Sequence, residues 1–318
     1  MTRLAFAILA PSLLFFGYAC SDSPNSPVPS PDAATTADAA PDVIEPTLTA
    51  ISLSFEGRVG VDAFRCGGTY ADVGTSHATV KAGDLRFFVH SIRLFNGGGE
   101  PVVVTLADRD PWQGSQVGLV DLEDKTEECE FGTTATNDVI EGSAIVGNYD
   151  TIEFEVGVPD ALNHINVETA GAPFTASKLQ WDWANGFIHF AAQVNSTAVT
   201  AGDAGASVRV PSFFSHLGST ACAGGDPVDG GSSSCARKNH PTVKLSGFNA
   251  QRDKLVVDLA KLWADSNIDQ NTPDTIPGCM SGPNDPECEA VFARLGLDFA
   301  TGAVSTTRVQ QVFSVERR

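Results

Sequence analysis

The sequence predicts an all-β fold: an antiparallel β-sandwich, stapled by disulfides, with a few short helices near the C-terminus. Three observations carry this. Mostly apolar residues recur at every second position in Ile51, Leu53 and Phe55, in Phe88, His90, Ile92 and Leu94, and in Ile152, Phe154, Val156 and Val158. That is the period of a strand with one buried face. Glycine-rich turns such as Asn96 to Gly99 separate these runs. Six cysteines, Cys66, Cys129, Cys222, Cys235, Cys279 and Cys288, accompany the strands, and an even count in an exported chain reads as a disulfide framework.

Export is read from the first residues. Arg3 precedes an apolar run from Leu4 to Tyr18 that is too short for a membrane span, and Cys20 closes it after Gly17, Tyr18 and Ala19. Residues 1–20 are therefore expected to be a lipoprotein signal peptide with Cys20 as the lipidated residue. The rival is ordinary cleavage nearby with Cys20 discarded. Residues 21–46 are Ser, Pro, Ala, Asp and Thr with almost no large apolar side chain, a disordered linker that would hold a domain off a membrane. Residues 47–318 then form one domain, and the expected location is the periplasm or cell surface, as an outer-membrane lipoprotein.

The chain carries 39 acidic against 20 basic residues, a formal net charge of −19. Such a field repels phosphate backbones, which argues against nucleic acid and leaves a cation or a basic protein as the favoured partner. No GxSxG, P-loop or HExxH pattern occurs, so the chain is not read as an enzyme.

The clearest hairpin expectation is Leu179 to Phe190. Asn185-Gly186 between alternating runs predicts a two-residue type I′ turn, which would pair Ala184 with Phe187, Trp183 with Ile188, Asp182 with His189 and Trp181 with Phe190. Asp182 would then stand beside His189, either as a surface ion pair or as the carboxylate that orients a metal-bound imidazole. Leu255 to Trp263 and Glu289 to Leu295 are the expected helices, the second apolar at Val291, Phe292 and Leu295.

Loop length favours Cys222 with Cys235 and Cys279 with Cys288 as the shortest closures, leaving Cys66 with Cys129, although sequence alone does not fix the pairing. A structural zinc site is the alternative, against which stands the absence of any CxxC pair.

Seven stretches resemble, in order, the signatures of MbnP-like proteins, the four-Cys half of the metallo-mystery pair. They are Phe64 to Tyr70 (FRCGGTY), Asp84 to Val89 (DLRFFV), Asp110 to Gln113 (DPWQ), Val158 to His164 (VPDALNH), Trp181 to Phe187 (WDWANGF), His216 to Cys222 (HLGSTAC) and Gly278 to Ser281 (GCMS). The resemblance implies a copper-associated exported protein whose partner is a di-haem cytochrome c peroxidase or MauG-like enzyme that oxidises a tryptophan to kynurenine. Carried onto this chain, it nominates Trp181 and Trp183 of the WxW motif for modification, and His164 and His216 as copper ligands; His189 is a further candidate from the hairpin alone, as an imidazole oriented by Asp182. Low-coordinate imidazole sites suit copper, and ring opening would give a former indole donor atoms. Trp112 is expected to be exposed and to serve as an electron relay or alternative substrate.

Blander readings stand beside these. His90, within an apolar strand, is expected to be a hydrogen-bonded core residue. His164 and His216 could be loop caps, and the tryptophans could be core, leaving a structural or adhesive surface β-sandwich without a metal site. Asp265 to Asn271 has oxygen donors at alternate positions but lacks the glycine and terminal glutamate of a calcium loop, and is expected to be an Asx-rich turn.

Overall fold

A computed structural model describes residues 46–182, 184–198, 208–209, 211–224 and 233–318. The signal-peptide and Cys20 lipidation expectations, nearly all of the linker and Trp183 lie outside the described residues. Residues Pro46–Arg318 form one compact unit.

In strand β1 (Leu48–Val59) the alternation becomes burial: Ile51, Leu53 and Phe55 are buried while Ser52 faces out. The other principal strands are β2 (Ala78–Phe95), β3 (Val139–Ile145), β4 (Thr151–Val156), β5 (Gly186–Ser196), β6 (Ser212–Gly218), β7 (Thr220–Gly224), β8 (Ser233–Arg237), β9 (Thr242–Ser246), β10 (Asp253–Asp258) and β11 (Phe313–Arg317). One sheet runs β11-β10-β1-β3, and the larger runs β9-β4-β2-β5-β6. These neighbours are antiparallel except β1 with β10, which pair in parallel with Phe55 opposite Leu255; a short strand at Gly278–Cys279 also joins β6 in parallel.

Between the sheets, Phe55 and Phe313 of the first meet Phe87 and Phe154 of the second edge-on, with ring centroids 5.6–6.0 Å apart, while Phe190 stacks on Phe87. This is the interdigitated aromatic core of a sandwich. The far face of the larger sheet is also covered: Phe88, Leu119, Phe174, Phe187 and Ile188 form a second buried cluster, against which Trp112 and Trp181 pack half-buried. Trp112 is therefore not the exposed residue expected of it.

The expected common face of Phe88, His90, Ile92 and Leu94 is broken. Phe88 joins the outer cluster whereas Ile92 and Leu94 point into the sandwich core. Ser91 sits between them at φ 52° and the β2–β4 register shifts there. A bulge inserts one residue and exchanges the faces.

The hairpin also differs. Gln180 pairs with Phe187 and Asp182 with Gly186, across an irregularity. Asp182 is exposed and accepts hydrogen bonds from the Asn185 backbone N–H at 2.7 Å and from Asn185 Nδ2 at 2.8 Å. That Asx-type turn takes the carboxylate for the loop itself, so it does not stand beside His189, which is fully buried. Gly186 has positive φ but Asn185 does not, so the two positive-φ residues that a type I′ turn needs are not both present.

Leu255 to Asp258 extend strand β10, and only α1 (Leu259–Leu262) is helical, with the Asp258 side chain accepting the Ala260 N–H at 3.0 Å as its cap. The second expected helix is present as α2 (Cys288–Arg294). The bridges are Cys66–Cys129, Cys222–Cys235 and Cys279–Cys288. Asp265 to Asn271 is a turn in which Asn267 Oδ1 accepts the Asp269 N–H and Asp265 pairs with Arg294.

Candidate metal centre

Three adjacent strands of the larger sheet bring imidazoles together. The Ser91 bulge sets His90 opposite Glu155 of β4. His240 precedes β9 on the other side of β4, where the Val156 N–H donates to the Pro241 carbonyl at 2.9 Å. His189 comes from β5 at the point where its pairing with β6 slips. Glu155 Oε2 lies 3.9 Å from His90 Nε2 and 3.9 Å from His240 Nδ1. The His240 ring stands 5.5 Å from that of His90 and 4.4 Å from that of His189.

Space for this cluster is made by Gly157. A Cβ built there would meet His240 Cδ2 at 2.9 Å and His189 Cγ and Nδ1 at 3.1 Å, and its φ of +139° is one that side chains rarely adopt.

Burial governs the protonation. It pushes His90 down to about 3, with the neighbouring His240 charge adding to the effect, and His240 down to about 4. His189 is held well below the ordinary histidine value by burial and then by His240 and His90. Burial raises Glu155, against the pull of Arg93 and Lys238. The rings are thus neutral near pH 7, with lone pairs available.

Those lone pairs are unspent. His90 Nε2 and His240 Nε2 are buried without a hydrogen-bond partner, and such atoms are costly unless something occupies them. The outer nitrogens, by contrast, are held: His90 Nδ1 lies 2.8 Å from Ser91 Oγ, and His189 Nε2 lies 3.3 Å from Asn163 Oδ1. One donor atom from each of His90, Glu155 and His240 falls within 4.8 Å of the others, and both histidines and Glu155 line a cleft of about 530 Å³ whose rim carries the Lys238–Asp160 ion pair. Neutral imidazoles with one carboxylate, oriented from behind by Ser91 and Asn163, fit a borderline metal such as copper.

A family model for MbnP matches residues 49–281. The chain belongs to the MbnP family. Its fold is similar to that of MbnP from Methylosinus trichosporium, at 27% identity and a TM-score of 0.74, covering 85% of this chain and 99% of that one. No curated protein matches.

The histidines nominated from the sequence are distributed over the molecule. His189 is within the cluster. His164 reaches it through Asn163, whose Nδ2 lies 3.1 Å from His164 Nε2, and the same ring nitrogen lies 3.1 Å from Cys235 Sγ. His216 lies against Phe214, its ring 5.4 Å away, and its charged neighbours are Asp84 and Arg86, not the other imidazoles. Burial lowers it to about 4, and its Nε2 also has no partner. Trp181 lies across Gly218, where an added Cβ would come 2.6 Å from its Cζ3.

Sequence reasoning did not select Glu155 or His240, and it assigned His90 to the core. His90 is indeed buried with one ring nitrogen hydrogen-bonded, but its other nitrogen faces Glu155. The available signal was a histidine in an apolar strand run beside Ser91, and nothing local tied it to residues far along the chain.

Proposed function

We propose that this MbnP-family chain is a copper-binding exported lipoprotein, with the ion held by His90 and His240, Glu155 and His189 completing the surroundings. The observation that carries this reading is the pair of buried imidazoles, His90 and His240, each with an unpartnered ring nitrogen, that line one cleft beside Glu155. When bound, copper would supply a soft Lewis-acidic or redox-active centre. The residues of this chain keep the rings neutral by burial, hold their outer nitrogens through Ser91 and Asn163, and leave one side open to the cleft.

In the same reading the chain is a substrate rather than an enzyme. A di-haem MauG-like partner, with one dioxygen or two hydrogen peroxides as the oxidant, would oxidise Trp181 or Trp183: one oxygen atom is delivered to each of indole C2 and C3 as the bond between them breaks, giving N-formylkynurenine, and water then hydrolyses the formamide to release C2 as formate and leave kynurenine. The position of Trp181 supports this: it is half-buried, packed on the outer aromatic cluster. Lipidation at Cys20 would place the protein at the outer membrane.

Copper(I) competition titration tests the site. His240→Ala and His90→Ala should each weaken binding by at least about tenfold, the scale on which even supporting residues of metal sites act. Unchanged affinity in both variants would overturn it. Peptide mass mapping of protein co-expressed with the partner enzyme tests the modification; an unmodified WxW peptide would remove that part alone.

A further inference from the structure

Strands β7 and β8 form a two-stranded ribbon outside both main sheets, and Cys222 and Cys235 sit directly opposite each other in it. Their bridge differs from the other two in access and in neighbours. Cys279 and Cys288 are fully buried, and in the third bridge Cys129 is nearly so beside a half-exposed Cys66, whereas Cys222 and Cys235 are both half-exposed. Among the described residues, this is also the bridge that meets an imidazole: His164 Nε2 lies 3.1 Å from Cys235 Sγ, and Asn163 Nδ2 lies 3.8 Å from the same sulfur. One donor atom from each of His164, Cys222 and Cys235 falls within 4.8 Å of the others.

Bridged sulfurs are weak ligands, but two thiolates beside an imidazole make a strong set for soft and borderline cations. We infer that the Cys222–Cys235 bridge masks a second, redox-gated metal site, which a dithiol reductant opens and in which Cys222, Cys235 and His164 hold one thiophilic cation of the zinc(II) or copper(I) class.

The chemistry balances with a dithiol alone. Its thiolate attacks Cys222 Sγ, the S–S bond breaks, and the electron pair leaves on Cys235 Sγ. That is the sulfur facing the Asn163 amide donor at 3.8 Å, which favours a departing thiolate. The second thiol of the reductant then displaces Cys222, so the reductant ends as a disulfide and the protein as two thiols. Binding a divalent cation releases both thiol protons. None of this depends on the copper reading above, because His90, His240 and Glu155 contribute no atom to the second site.

The full chain is treated with limiting dithiothreitol, and free thiols are alkylated and mapped by mass. Cys222 and Cys235 should label before the other four cysteines. After anaerobic removal of reductant, cadmium(II) should produce thiolate-to-metal absorption that saturates at one equivalent. His164→Ala, which keeps all three bridges in the oxidised protein, should weaken cadmium binding by about tenfold or more. Cys222→Ser/Cys235→Ser should abolish the band, with circular dichroism checking that this variant is folded. The double variant His90→Ala/His240→Ala distinguishes the two sites by losing copper binding while keeping the cadmium band. The inference is overturned if the ribbon bridge opens no earlier than the other two, or if His164→Ala binds cadmium as tightly as the unaltered protein.

Discussion

Asn163 Oδ1 lies 3.3 Å from His189 Nε2. The same oxygen accepts the Phe187 backbone N–H at 3.0 Å, and because that partner is an unambiguous donor it fixes which end of the amide is oxygen. His189 then carries its proton on Nε2. By the same logic Asn163 Nδ2 donates to His164 Nε2, 3.1 Å away. A single buried side chain thus sets the tautomers of two histidines.

Replacing it should therefore be felt twice. Asn163→Leu strands the Phe187 N–H and removes the acceptor from His189, a loss of about 1–3 kcal/mol in unfolding free energy for buried groups left unpaired. Copper affinity should fall by about 10- to 100-fold through loss of ring orientation. Urea denaturation and copper(I) competition read the two effects separately.

Gly157→Ala should disturb the same place from the opposite side. The new methyl would press on His240 and His189 at 2.9–3.1 Å, at a φ of +139°. A stability loss of about 1–3 kcal/mol is expected from the backbone strain, together with weaker copper binding. Gly171→Ala is the control: it shares a left-handed φ, +74°, but nothing lies within 4 Å of the added carbon, so copper affinity should not change.

A second buried network predicts a pH dependence away from the cluster. Burial pushes Asp121 up to about 8 from its ordinary 3.8, although Arg86 opposes the shift. Between those values the folded protein holds a proton that the unfolded chain has released. Stability from this group is complete at acid pH and is lost as pH rises toward 8, at up to about 1.4 kcal/mol per pH unit. Asp121→Asn should flatten that decline, which urea midpoints at about pH 5 and pH 8 would measure.

Arg86 itself is fully buried and pairs with Asp84 through Nε at 2.8 Å and a terminal nitrogen at 2.6 Å, while its other terminal nitrogen donates to the Ser177 carbonyl at 2.8 Å. Arg86→Leu leaves a buried carboxylate without its cation and should cost about 3–5 kcal/mol. Arg86→Leu/Asp84→Leu should recover much of that loss, and a double variant as unstable as Arg86→Leu would show that the pair is not the source. Thermal and chemical unfolding of the set decide it.

The all-β class, the second C-terminal helix and the two short bridges were legible in the sequence because each depends on local spacing, whereas Cys66–Cys129, 63 positions apart, followed only as the remainder. Alternation at Ile51, Leu53 and Phe55 needs only a period of two, and a short loop brings Cys222 to Cys235 whatever surrounds it. The WxW, LNH and HLGST signatures likewise pointed to the MbnP family. The cluster of His90, His189 and His240 was decided by tertiary structure alone. One extra residue at Ser91 exchanges the faces of β2 and turns His90 away from the Ile92–Leu94 side, and strand order then lays Glu155 between two histidines some 150 positions apart in the chain. Register and strand order are settled by which packing buries the most surface across the whole sandwich, and no window of sequence around any one of these residues contains that information.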